Sequence, residues 1–177
     1  MKISMVVAVG ANNEIGKGNE LLWRLPKDMQ RFKDVTMGHH VLMGRKTWES
    51  IPLKFRALPG RTNLVLTRNP NYVLECGADN SVARVINSIE DGIQIAEAAG
   101  EPELMLIGGA EVYKQGIDKY ASRVYLTTVC KIFQEADVFF PGIPENEWFP
   151  VGPIEAHEAD EKNKIRMIFS IFERDEE

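Results

Sequence analysis

Several features that mark other classes of protein are scarce in this 177-residue sequence. Its two cysteines, Cys76 and Cys130, stand far apart without metal-ligand spacing, which indicates a reducing compartment rather than a disulfide scaffold. The three histidines share no ligand spacing either, so we expect no metal site. No apolar run reaches the roughly 18 residues that a membrane span needs, so we expect no membrane attachment.

Basic charge is also in short supply. Lysine and arginine total 21 against 26 aspartate and glutamate residues, and the net charge is −5. Because a nucleic-acid-binding domain needs a basic surface, we expect no nucleic-acid partner. The chain opens directly on apolar residues without a charged leader, so we expect a cytoplasmic protein. A few local cations would still suffice to hold the phosphates of a nucleotide.

The standard phosphate-binding motifs, G-x-x-x-x-G-K-[ST] and G-x-G-x-x-G, are missing. Two other junctions offer the same physics, because at Gly44 and at Gly108-Gly109 a buried strand ends and a helix begins. Arg45 and Lys46 add positive charge at the first junction, and Thr67-Arg68 closes a third strand. A glycine after a strand is more often a simple turn, but the combination favours a dinucleotide.

What the sequence does contain is a regular alternation of apolar strands and helical segments. Together they predict one α/β domain over residues 1–177, with a mostly parallel central sheet of about eight strands and about four flanking helices. No helix separates the closing strands, so we expect an antiparallel C-terminal edge. The predicted strands span 1–9, 40–43, 62–67, 82–86, 103–107, 123–129 and 165–172, and helices begin near residues 26, 44, 88 and 109.

The segment 22–33 is the most informative part of the chain. Pro26 suits the first position of a helix, and Asp28 then falls in the first turn. Apolar residues follow at helical spacing, and Trp23 lies just upstream. An acid in a first turn often only stabilises its helix. A carboxyl group at the rim of an apolar, aromatic surface can also acquire the shifted pKa of a functional site.

A series of short segments occurs in a fixed order along the chain: Ile15-Gly16, LWRLPKD at 22–28, Phe32-Lys33, MGRKTWESI at 43–51, LPGR at 58–61, IGGAEVY at 107–113 and YLT at 125–127. Taken in order, these segments closely resemble those of the bacterial, chromosomal-type dihydrofolate reductases. The resemblance covers essentially the whole chain, and it implies NADPH-dependent reduction of 7,8-dihydrofolate to 5,6,7,8-tetrahydrofolate. That reaction supports one-carbon and thymidylate metabolism. The resemblance further implies a monomer that binds antifolates such as methotrexate or trimethoprim.

The resemblance also implies roles for individual residues. Asp28 matches the family's one ionisable group in the pterin pocket, where a carboxylate accepts hydrogen bonds from N3 and the 2-amino group. Thr127 would support this carboxylate, and Leu21 belongs to the same catalytic group. Trp23 would order a water molecule, and we hypothesise that water carries a proton to N5 while hydride reaches C6. Arg61 would pair with the glutamate carboxylate of the folate tail.

Two sets of lining residues follow from the same resemblance. Arg45 and Arg68 favour NADPH over NADH, because an additional phosphate needs cations, and the Gly108-Gly109 peptide is expected to be cis. The substrate set is Val6, Val7, Ala8, Met29, Phe32, Lys33, Ile51, Leu58, Arg61, Ile107 and Tyr113. The cofactor set is Ala8, Ile15, Gly16, Gly44, Arg45, Lys46, Thr47, Leu66, Thr67, Arg68, Ile107, Gly108, Gly109, Ala110, Glu111, Val112 and Tyr113.

The chain departs from the family pattern at three places. Leu22 replaces the proline that many members have before the tryptophan, so the mobility of the loop 10–23 is expected to differ. The segment 52–57 is longer than usual, and Glu111 stands where some relatives have a cation. Two other functions remain open: a related NADPH-dependent reductase, such as the pyrimidine reductase of riboflavin synthesis, and a non-catalytic nucleotide-binding or storage protein. Trp23 with Asp28 favours a pterin substrate.

Overall fold

The computed structural model describes residues 1–77 and 82–175, and it contains ten strands and four α-helices within those ranges. The strands are β1 (Lys2–Val9), β2 (Glu14–Gly16), β3 (His40–Gly44), β4 (Thr62–Leu66), β5 (Val82–Ile86), β6 (Glu103–Leu106), β7 (Arg123–Val129), β8 (Val138–Phe139), β9 (Trp148–His157) and β10 (Met167–Arg174). The helices are α1 (Pro26–Thr36), α2 (Arg45–Ser50), α3 (Ile89–Ala98) and α4 (Ala110–Gln115), with short helical turns at Leu53–Phe55 and Gly116–Tyr120.

Eight strands form one sheet in the order β5-β4-β3-β6-β1-β7-β10-β9. The six strands from β5 to β7 run parallel, whereas β10 pairs antiparallel with both β7 and β9. The predicted fold class is therefore confirmed, including the antiparallel C-terminal edge. A second, two-stranded sheet joins β2 to β8.

The parallel strands are buried because helices cover both faces of the sheet. One apolar cluster joins Met5 and Leu42 to Ile89 of α3 and Val112 of α4. The opposite cluster contains Trp48 of α2, with the partly buried apolar face of α1 packed against it. This two-sided burial explains why β1, β3 and β6 read as continuous apolar runs rather than as alternating ones.

Three strands were not predicted from the sequence. β2 lies inside the segment 10–20, which was predicted to be a loop, and its pairing with β8 supplies the hydrogen bonds that a three-residue strand cannot make alone. β9 is an exposed edge strand interrupted by Pro150 and Pro153, and prolines are tolerated at such an edge. The final strand also begins at Met167 and continues to Arg174, beyond its predicted end.

The predicted helix starts are confirmed, and they differ in how they are capped. Ser88 and Asp91 form a capping box at α3, with each side chain accepting the other's backbone N–H at 3.0 Å. By contrast, α2 and α4 begin after Gly44 and Gly109 without a side-chain cap. Both of these starts follow parallel strands at the carboxyl edge of the sheet, which is where open α/β sheets bind ligands.

None of the helices within the described ranges is long and apolar enough to cross a membrane.

Candidate active site

One long cleft crosses the carboxyl edge of the parallel strands between α1 on one side and α2 and α4 on the other. Every residue in the predicted catalytic, substrate and cofactor sets lines this cleft. The chain from β1 to β7 supplies all of these predicted residues. The structure therefore brings together what the sequence analysis assigned to separate motifs.

Asp28 lies half-buried in the first turn of α1, where Pro26 opens the helix. Burial raises the pKa of its carboxyl group above the ordinary value for aspartate. Polar interactions with Thr127 and Trp23 and the positive charge of Arg31 oppose that rise without cancelling it. The helix start thus holds a carboxyl group whose protonation is sensitive to its neighbours.

Arg31 is a neighbour of Asp28 that the sequence analysis missed. Its guanidinium donates to the carbonyl oxygen of Leu126 at 2.7 Å, to the hydroxyl oxygen of Thr127 at 3.1 Å and to the carbonyl oxygen of Ser170 at 3.1 Å. The signal was present in the spacing, since a residue three positions after Asp28 lies on the same helix face. The distant strands that it contacts could not be read from that spacing.

Apolar and aromatic side chains form the walls near Asp28. Trp23 packs against Phe133, with ring centroids 5.0 Å apart, and Val6 of β1 and Ile107, directly after β6, are buried. The hydroxyl of Tyr113 donates to the carbonyl oxygen of Val6 at 2.8 Å. Burial and the nearby Asp28 charge raise the Tyr113 pKa, so this phenol stays protonated. These contacts enclose the carboxyl group on several sides.

Two members of the predicted site have exposed side chains at the rim. Leu21 was grouped with the catalytic residues, but 77% of its surface is exposed. Met29 was assigned to the substrate wall, and 51% of its surface is exposed at the mouth of the cleft. Both lie on the cleft boundary, so neither helps to bury Asp28 in this conformation.

Arg61 is buried at the far end of the substrate side. Its Nε donates to the carbonyl oxygen of Pro59 at 3.0 Å, and its Nη1 donates to the Thr36 hydroxyl at 3.0 Å. Burial lowers its pKa, and no carboxylate within residues 1–77 and 82–175 offsets this effect. A buried cation that faces a cleft and is held only by neutral oxygens can accept an anionic ligand.

The helix starts of α2 and α4 meet at the other end of the cleft. Gly44 donates its N–H to the carbonyl oxygen of Gly108 at 2.8 Å, and the Gly108-Gly109 peptide is cis, as expected. A Cβ atom added at Gly109 would lie 3.2 Å from the Thr47 hydroxyl oxygen, so glycine permits this close approach. Arg68 is exposed beside this junction. Asn69, Asn87 and Ser88 also line the cleft here and were not predicted.

The segment 10–20 borders the cleft and is anchored at two points. Glu14 is buried, and its carboxylate accepts the backbone N–H groups of Asn12 at 2.7 Å and Phe133 at 2.8 Å. The N–H of Gly18 lies 3.1 Å from both carboxylate oxygens of Asp137. Both anchors reach the segment 131–140, so two distant parts of the chain close this side of the cleft.

The fold and the cleft together define a class of protein: an α/β nucleotide-binding domain with a second, apolar pocket that contains a carboxyl group. The uncapped helix starts, the nearby cations and the carboxyl edge of a parallel sheet are the features of such nucleotide sites.

Comparison with known proteins specifies the family. The dihydrofolate reductase family model matches residues 2–174, and the chain belongs to that family. It is 38% identical to the dihydrofolate reductase of Bacillus subtilis over 172 residues, which cover 97% of this chain and 94% of the relative. It is 36% identical to the Staphylococcus haemolyticus enzyme, with 98% and 96% covered.

A solved structure agrees with these sequence relatives. Dihydrofolate reductase from Enterococcus faecalis, complexed with NADP(H) and RAB-propyl, superimposes with a TM-score of 0.84 at 30% identity. The similarity covers 99% of this chain and 97% of that one.

Proposed function

We propose that this protein catalyses the NADPH-dependent reduction of 7,8-dihydrofolate to 5,6,7,8-tetrahydrofolate. The observation that carries the proposal is the carboxyl group of Asp28, half-buried at the start of α1 in a cleft lined by the whole predicted site. Membership of the dihydrofolate reductase family supports this choice among the reactions that the cleft could accommodate.

Asp28 binds and orients the pterin in this proposal. An ionised carboxylate only accepts hydrogen bonds, and the pterin N3–H and 2-amino group are donors with matching separation. Trp23, at the rim of the same pocket, orders a water molecule that passes a proton to N5. The apolar walls around Asp28 exclude other water and strengthen the electrostatic interaction.

The junction of α2 and α4 fits a dinucleotide on an observation independent of the family. Both helix starts lack side-chain caps, whereas α3 has a complete capping box, so the backbone N–H groups of the first two remain available to phosphate oxygens. When bound, NADPH supplies the hydride for C6. Arg45, Lys46 and Arg68 provide the positive charge that an additional ribose phosphate requires.

Arg61 binds the carboxylate of the folate tail in this proposal. It is buried, faces the cleft and is held by neutral oxygens, so an arriving carboxylate meets a positioned guanidinium rather than a flexible one. Lys33, exposed on α1, lies on the same side of the cleft.

We extend the proposal to the molecule as a whole. Residues 1–177 form one dihydrofolate reductase-like domain that acts as a cytoplasmic monomer without a nucleic-acid partner, and antifolates compete for the pterin pocket. The two exposed free cysteines, Cys76 and Cys130, are consistent with a reducing compartment.

The test is NADPH oxidation in the presence of dihydrofolate, followed by absorbance. We expect Asp28→Asn to lower turnover at neutral pH by about a hundredfold, because an amide cannot accept both pterin donors. Asp34→Asn on the exposed face of the same helix is the matched control and should keep wild-type turnover.

Three outcomes distinguish the alternatives. Wild-type turnover that is lost in Asp28→Asn supports the proposal, and turnover that survives this change contradicts the role of Asp28. NADPH binding without turnover would favour the related pyrimidine reductase, which a pyrimidine substrate then tests. Binding without turnover on either substrate would indicate a non-catalytic binding protein.

A further inference from the structure

The side chain of Arg31 is fixed by two strands that lie far away in the sequence. Its Nη1 donates to the Leu126 carbonyl oxygen on β7, and its Nη2 donates to the Ser170 carbonyl oxygen on β10. Leu126 and Ser170 are direct partners in the antiparallel ladder, so the guanidinium bridges one rung of the sheet. The ring of Phe169 lies 4.4 Å from the guanidinium carbon and restricts it further.

The remaining contact of this guanidinium is the one that concerns Asp28. Nη1 also donates to the Thr127 hydroxyl oxygen at 3.1 Å. An arginine has only donors, whereas a threonine hydroxyl has one hydrogen to give and two lone pairs to receive. The hydroxyl therefore receives from Arg31, which leaves its own hydrogen for another acceptor. Thr127 and Asp28 line the same cleft, and Thr127 lowers the pKa of the Asp28 carboxyl group.

We propose that Arg31 is a positioning residue for Asp28, which it controls by orienting the Thr127 hydroxyl hydrogen toward the carboxylate and by placing a fixed positive charge beside it. This inference rests on the proposed role of Asp28 in pterin binding. Arg31 acts through these two residues and not on the substrate itself. Its contacts with Leu126, Ser170 and Phe169 fix the guanidinium in this position.

The titratable groups near this pair act on different members of it. Burial and the charge of Asp28 raise the pKa of Tyr113 on α4, whereas Glu155 on β9 and Tyr125 on β7 act to raise the pKa of Arg31 against the effect of burial. His157 lies on Phe169, with ring centroids 4.5 Å apart. Among these groups Arg31 supplies the positive charge that lowers the pKa of Asp28 against the opposing effect of burial.

The consequence is a limit on the pH range in which the pocket binds folate. Dihydrofolate presents two donors, so it binds best to the ionised carboxylate. Without Arg31, the Thr127 hydroxyl can rotate away and the carboxyl group keeps its proton to a higher pH. Folate affinity should then begin to fall at a higher pH than in the wild type.

The experiment is a titration of the Asp28 carboxyl carbon by 13C NMR in protein labelled at aspartate carboxyl groups. Comparison with Asp28→Asn assigns the signal. We expect the titration midpoint to move to higher pH in Arg31→Met, which keeps an unbranched side chain against Phe169. Arg31→Lys keeps the charge but not the planar fork, so its shift should be smaller. Arg84→Met, on the distant edge strand β5, is the matched control and should leave the midpoint in place.

The dissociation constant of dihydrofolate, measured across the same pH range, gives a second readout. The pH below which this affinity falls, the acid limb of the profile, should move to higher pH in Arg31→Met and by a smaller amount in Arg31→Lys. A midpoint and an acid limb that coincide with wild type, together with a lower Tm, would overturn the inference and make Arg31 only a clamp between α1 and the sheet.

The double variant Arg31→Met/Thr127→Val tests the route through the hydroxyl. If Arg31 acts through Thr127, the double variant should shift the midpoint by less than the sum of the single shifts. Fully additive shifts would overturn that route. Failure of the proposed function would give a different result. If Asp28 does not bind the pterin, dihydrofolate affinity should be the same in Asp28→Asn as in wild type, independently of any change at Arg31.

Discussion

Two charged side chains on the substrate side, the half-buried Asp28 and the buried Arg61, have different electrostatic surroundings. Asp28 has compensating neighbours in Thr127, Trp23 and Arg31, so its charge depends on how they are arranged. Among the described residues, Arg61 donates to the neutral oxygens of Pro59 and Thr36 and to no carboxylate. A charge that the fold leaves uncompensated is a cost to stability that a ligand of opposite charge can offset. At the scale of single residues, the pKa of Asp28 thus depends on its neighbours, whereas Arg61 is a buried cation that an anionic ligand can pair with.

Arg61→Lys tests the second of these residues. We expect the KM for dihydrofolate to rise by about tenfold, because an ammonium group cannot form the paired contact of a guanidinium. A tenfold change corresponds to the loss of about one charge-assisted hydrogen bond. The KM for NADPH and the turnover number should change little, since the proposed contact of Arg61 is with the folate tail and not with the reacting atoms. Steady-state kinetics with both substrates measures these values, and Arg84→Lys serves as the exposed control. An unchanged folate KM would contradict the proposed contact.

At the scale of elements, the segment 10–20 is held by groups outside itself. Glu14 anchors its first half through the backbone of Phe133, and Asp137 anchors its second half through Gly18. The first anchor is buried and the second is exposed. The exposed half of the segment should therefore open at a lower free-energy cost than the buried half.

Asp137→Ala tests this difference. We expect faster backbone hydrogen exchange in residues 17–20, because the Gly18 N–H loses both of its carboxylate oxygens, while exchange around Glu14 stays near the wild-type rate. The Tm should change by no more than about 2 °C, since the lost interaction lies at the surface. The control is Glu135→Ala, because Glu135 is an exposed acid in the segment 131–140 that also contains Asp137. Equal acceleration at both anchors would show that the segment opens as one unit.

At the scale of the whole molecule, stability at acidic pH depends on carboxylates that tie distant parts of the chain together. Burial acts to raise the pKa of Glu14 and of Glu101. Backbone N–H groups at Glu14, and His39 and His40 at Glu101, outweigh that effect and lower both pKa values below the ordinary 4.5. Such groups contribute stability that is complete above the unfolded pKa and is lost as the pH falls through the lowered folded pKa. Asp28 has the opposite sign, because its folded pKa is raised.

We therefore expect the Tm to decrease as the pH falls below about 4.5, the region where the unfolded glutamates begin to take up protons. Calorimetry from pH 7 to pH 3 measures the decrease. Glu14→Gln should have a lower Tm than wild type at pH 7, and the gap should narrow as the pH falls, because the wild-type carboxylate is then protonated as well. A gap that is constant with pH would assign the loss to packing rather than to the charge of Glu14.

Elements whose signals are local could be predicted from the amino-acid sequence alone. The apolar runs of β1, β3, β4 and β6 predict a parallel sheet because burial on both faces leaves no polar alternation to interpret. Pro26 and the Ser88–Asp91 pair predict helix starts because capping involves residues within one turn. The order of the motifs can also be recognised in the sequence, and that order indicates the family and the residues that line the cleft.

The contacts between these groups, by contrast, depend on how the chain folds. The bridge from Arg31 to Thr127 and Ser170 joins residues 96 and 139 positions apart, and the Glu14 anchor joins residues 119 apart. The exposed positions of Leu21 and Met29 and the pairing of β2 with β8 likewise depend on chain segments that meet only after folding. Local propensity acts over a few residues, whereas the pKa of Asp28 depends on charges and burial summed over the folded cleft. Asp28 was therefore visible in the sequence as a candidate acid, and the contacts that Arg31 makes beside it were not.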